Sequence, residues 1–76
     1  MKHTDTVNQI DKAIHLYKWG LLSIYEAFNR IDSIIIQYSK TLDGNDINIV
    51  TTATNKLYRN ALNKLYTVLK NRIKYN

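Results

Sequence analysis

LYKWGLLSIYE, residues 16–26, decides how this chain folds. Read one way, it is the middle of a single long helix. From Val7 to Leu42 apolar residues fall at intervals of three and four: Val7, Ile10, Ile14, Tyr17, Leu21, Ile24, Phe28, Ile31, Ile35, Tyr38 and Leu42. That is the a/d pattern of a coiled coil, and it runs through residues 16–26 in phase. Read the other way, the stretch is a break. Gly20 costs about 1 kcal/mol against alanine inside a helix. Ser23-Ile24-Tyr25-Glu26 spells a capping box, in which the serine and glutamate satisfy two backbone N–H groups at a helix start.

The unbroken phase favours continuity. The expected fold is all-α: an antiparallel helical hairpin of two long helices, one domain over residues 1–76, self-associating into a helical bundle. Three helices with a break near Gly20 are the competing arrangement. In the continuous reading Phe28 lies mid-seam and is expected in the core. Ala13, Gly20 and Ala27 recur every seven residues on one flank, which allows close helix approach.

Outward from that stretch, Thr4 or Thr6 is expected to cap the first helix, Thr6 with Gln9 fitting a capping box. The helix should reach about Thr41. Asp43-Gly44-Asn45 reads as a turn, with Gly44 suited to the left-handed position after a helix end. Asp46 then caps a second helix that ends near Lys74. Its apolar face holds Val50, Ala53, Leu57, Tyr58, Ala61, Leu62, Leu65, Val68, Leu69 and Ile73. Together they cover roughly 160° of arc, wider than a two-helix seam needs, so more than one neighbour is expected. A rival pattern overlies residues 33–54. β-branched residues alternate with polar ones on both sides of Asp43-Gly44, a hairpin signal. The alternative fold is therefore α-β-β-α, disfavoured because an isolated two-stranded hairpin is marginal.

The chain has no cysteine and no proline. Disulfides and thiolate metal sites are excluded, and a chain of 76 residues has few other routes to stability than self-association. A homodimer is expected. The N-terminus MKHTDTVNQ has no apolar core of a signal peptide, and no run is long enough to span a membrane. A cytoplasmic protein is expected. Abundant isoleucine, asparagine, lysine and tyrosine suit an AT-rich coding sequence, such as that of a phage or mobile element.

Catalytic chemistry finds no foothold. His3 and His15 stand apart, without a second ligand one helical turn away. No Gly-rich phosphate loop and no nucleophile–histidine set is visible. The chain is expected to be no enzyme, with no catalytic residue, metal, cofactor or small-molecule substrate.

Charge gives the better signal. The net charge is +5, but residues 1–46 carry −1 and residues 47–76, with no acid, carry +6. Lys56, Arg59, Lys70 and Lys74 fall within about 60° of arc on the second helix, opposite its apolar face, with Asn60, Asn63 and Thr67 among or beside them. This stripe is a candidate binding face for an anionic partner, either nucleic acid or an acidic protein. Leu16, Trp19 and Leu22 lie outside the seam. They make residues 16–25 apolar on nearly every side and are candidates for a protein interface. The expected function is that of a small non-catalytic interaction or regulatory protein acting on another protein; the alternative is a nucleic-acid-binding regulator using the basic helix face.

The hairpin architecture resembles that of the Rop-type plasmid RNA-binding proteins. The local echo is Leu57-Tyr58-Arg59 in the second helix, after Leu42-Asp43 at the bend. The resemblance implies a dimeric four-helix bundle. It covers a few residues only and carries no RNA-binding residue onto the first helix here.

Overall fold

The computed structural model describes residues 3–42 and 47–74, without the side chains of Ile47, Ile49, Ile73 and Lys74. Three helices follow one another: α1, His3–Lys18; α2, Ile24–Thr41; α3, Ile47–Lys74. The long first helix is thus two helices, and the two-helix hairpin gives way to a three-helix bundle.

The reason lies in residues 16–26. Gly20 has φ +79°, the left-handed conformation that closes a helix. The Gly20 N–H donates to the Tyr17 carbonyl at 3.0 Å, and the Leu21 N–H to the Leu16 carbonyl at 2.8 Å. These are the two bonds of a Schellman motif, with glycine at its left-handed position. Three residues later Ser23 caps α2. Its Oγ accepts from the Glu26 N–H at 3.1 Å, and the Glu26 carboxylate accepts from the Ser23 N–H at 3.3 Å. Each local stop and start signal satisfies backbone groups that a helix end leaves open. Heptad phase adds no hydrogen bond to outweigh them.

The break also shifts the packing phase. Leu21, expected in the seam, is 67% exposed, while its neighbour Leu22 is buried. Phe28, expected at mid-seam, is 41% exposed, and Ala27 beside it is fully buried. The core comprises Ile10, Ala13, Ile14 and Tyr17 from α1, Ala27, Ile31, Ile35 and Tyr38 from α2, and Leu57, Ala61 and Leu65 from α3.

The directions of the helices follow from their contacts. The His3 ring meets the Tyr38 ring edge-on, centroids 6.0 Å apart, so the start of α1 lies beside the end of α2. On that register Ala13 and Ala27 occupy the same level of an antiparallel pair. Two alanines there, 2% and 0% exposed, let the helices approach closely. Asp11 pairs with Lys64 and Tyr17 with Arg72, so α3 runs parallel to α1. The molecule is 48 Å long and 19 by 18 Å across. At about 1.5 Å per residue α3 nearly spans that length, whereas α1 and α2 cover little more than half of it.

Further expectations are corrected. Thr6 does not cap α1: the helix already begins at His3, and Thr6 lies within it, fully buried on the core face. The α-β-β-α alternative fails, because residues 33–41 continue α2 and residues 47–53 begin α3, with no strand among the described residues. Ile31, Ile35 and Tyr38 meet the core at helical spacing, and that burial outweighs the modest β preference of the isoleucines around them. The two-helix unit implied by the Rop-type resemblance is likewise replaced by three helices. The turn read at Asp43-Gly44-Asn45 and the cap at Asp46 lie outside the described residues.

Candidate interaction surfaces

The five α3 cations whose side chains are described divide by what they touch. Two tie the bundle together. Lys64 Nζ sits 2.8 Å from the Asp11 carboxylate, both side chains well exposed. Arg72 Nη1 donates to the Tyr17 carbonyl at 3.2 Å, and the guanidinium lies 4.9 Å from the centre of the Tyr17 ring. Tyr17 is in the last turn of α1, where unsatisfied carbonyls favour a cation. Lys56, Arg59 and Lys70 are exposed and bonded to no other group among the described residues, Lys56 at the rim of the α1–α3 groove. Asn60, Asn63 and Thr67 are exposed on the same side. The expected stripe is therefore one surface as far as Lys70; the Lys74 side chain lies outside the described residues.

The expected interface of Leu16, Trp19 and Leu22 is split. Trp19 is 68% exposed and stacks edge-on against His15, centroids 5.7 Å apart. Leu22 is buried at 8% and belongs to the interior. Leu16 is half-buried, and its carbonyl accepts the bonds that end α1. Leu22 turns inward because the break at Gly20 rotates it out of the frame that the heptad assigned.

A larger apolar surface lies on the α2–α3 flank. The Tyr58 hydroxyl donates to the Asp32 carboxylate, fixing the register of antiparallel α2 and α3. Desolvation, and then the bond to Asp32 and its negative charge, push the Tyr58 hydroxyl up from 10.0 to about 12. One turn on from this pair towards the α1–α2 turn stand Phe28 on α2 and Leu62 on α3, each 41% exposed. Beyond them come Tyr25 at 78% and Tyr66 at 69%. By helical periodicity Tyr25, Phe28 and Leu62 lie on the flank that Asp32 and Tyr58 mark, and Tyr66 carries the strip round α3 towards Arg59. Trp19 and Leu21 crown the same end of the bundle. The available signal was the excess width of the α3 stripe, which contains Tyr58, Leu62 and Leu69.

Between α1 and α2 an open groove is lined by Gln9, Lys12, Arg30, Ser33 and Gln37. It holds amides and cations but no nucleophile–base pair. Among the described residues no group of three histidine, cysteine or carboxylate side chains converges, and no helix is long and apolar enough to cross a membrane. No family model, curated protein or solved structure matched this chain.

Proposed function

We propose that this chain is a small non-catalytic interaction protein, a regulator or accessory factor that works through protein–protein contact and assembles with itself first. The observation that carries the reading is the exposed apolar strip of Tyr25, Phe28, Leu62 and Tyr66 on the α2–α3 flank. Monomeric soluble proteins seldom leave aromatic side chains contiguous at a surface. Aromatic residues in a packed interface supply much of its binding energy. A chain of this size also buries only about 60–65% of its unfolded surface, so a second copy adds stability that the monomer lacks.

Sedimentation equilibrium at tens of micromolar tests this. The parent should sediment as a dimer, and the double variant Tyr25→Ser/Tyr66→Ser as a monomer with unchanged far-ultraviolet circular dichroism. Both residues are largely exposed, so the substitutions leave the core intact. A parent that is monomeric at that concentration and cooperatively folded would overturn the reading.

A further inference from the structure

The outward face of α3 has a layout of its own. Lys56 and Arg59 stand near one end and Lys70 near the other, about 21 Å apart along the axis at helical rise. Asn60, Asn63 and Thr67 occupy the space between them, all exposed. The sequence holds no acid from residue 47 to residue 76, so no carboxylate of α3 neutralises the face. The other two described cations of α3, Lys64 and Arg72, are engaged with α1.

We infer that this face binds duplex DNA, α3 entering the major groove with its cations on the flanking phosphate backbones. The major groove is about 12 Å wide and admits an α-helix. Along the groove, a span of about 21 Å sets Lys56 and Arg59 against phosphates at one end of the contact and Lys70 at the other. Arginine, lysine, threonine and asparagine are the side chains that hold phosphates. The two central asparagines have the donor–acceptor pair that reads adenine in that groove. An acidic protein fits less well, because protein interfaces centre on buried apolar or aromatic anchors. Among the described residues one aromatic, Tyr66, borders this face, and the centre of the face is the polar set of Asn60, Asn63 and Thr67; the other exposed aromatics sit on the neighbouring flank. Single strands fit less well for the same reason, since they need aromatic platforms for their bases. Duplex RNA has a deep, narrow major groove that does not admit side chains for reading. This inference does not rest on self-association: the face is complete in one copy.

Fluorescence anisotropy with a labelled duplex of two helical turns tests it, using the full chain. Three phosphate contacts predict that log affinity falls with log salt at a slope of about 2.7, a loss of roughly 40-fold between about 50 and 200 mM salt. Lys56→Gln/Arg59→Gln/Lys70→Gln should lose at least tenfold affinity at low salt, with its circular dichroism unchanged. Lys64→Gln, which removes a cation engaged with Asp11, should stay within about threefold of the parent. The same single strand and the equivalent RNA duplex are the competing probes. The inference is overturned if the parent does not bind duplex DNA at low salt, if the triple variant binds as the parent does, or if either competing probe binds more tightly than the DNA duplex.

Discussion

The α1–α2 side of this bundle and its α2–α3 side draw on similar residues and end differently. Between α1 and α2, alanines at positions 13 and 27 bring the helices together, and Ile10, Ile14, Ile31 and Ile35 are buried, leaving only the polar groove of Gln9, Lys12, Arg30 and Gln37 open among the described residues. Between α2 and α3 the tie is a tyrosine–aspartate hydrogen bond, and Phe28 and Leu62 beyond it remain partly in water. Size at the contact decides the difference. Two alanines let backbones approach, whereas large side chains on adjoining flanks are left uncovered by a third helix whose described residues contribute Leu57, Ala61 and Leu65 as buried apolar groups. One side is finished within the chain, and the other presents a surface.

Paired substitutions should show the asymmetry. Ile31→Ala, at a site 1% exposed, should cost about 2–5 kcal/mol in chemical denaturation. Phe28→Ala removes a larger side chain yet should cost much less in the monomer, under about 1 kcal/mol, because 41% of it already meets water. A Phe28 variant as costly as the Ile31 variant would mean that the α2–α3 side is sealed.

The junction should give the next largest effect. A Cβ at Gly20 meets nothing within 4 Å, so alanine suffers no clash there. Only the positive φ opposes it, and Gly20→Ala should destabilise by about 1–2 kcal/mol. A neutral or stabilising result, with raised helix content, would mean that α1 and α2 can fuse into the continuous helix their heptads describe.

The smallest effect concerns the tie between α2 and α3. The Tyr58 hydroxyl stands at about 12 in the fold against 10.0 unperturbed. Its contribution is full below about pH 10 and is lost as pH rises towards 12, because the unfolded state gives up the proton first. Denaturation midpoints of the parent should therefore fall across that window, and Tyr58→Phe should fall less. Equal slopes in the two proteins would remove Tyr58 as the source.

Much of the fold was legible residue by residue. The helical class, the 3.6-residue spacing of Ile31, Ile35 and Tyr38, and the outward stripe of Lys56, Arg59 and Lys70 all follow from periodicity; Ala13 and Ala27 were read as one flank of one helix, and the break sets them against each other. Both halves of the junction were legible as well: glycine at position 20 and serine with glutamate at positions 23 and 26 are local chemistry, acting within a few residues. The heptad competed with them because it extends through the same residues without a phase error.

Tertiary structure alone decided which pattern won and what it left exposed. A capped break rotates the next helix about its axis, so Leu22 replaced Leu21 inside and Ala27 replaced Phe28. Periodicity within one helix fixes which residues share a face. It does not fix which neighbour covers that face, since this depends on how closely two backbones can approach. For the same reason periodicity set Lys64 and Arg72 apart from the stripe of Lys56, Arg59 and Lys70, but only packing against α1 gave those two their partners, Asp11 and Tyr17.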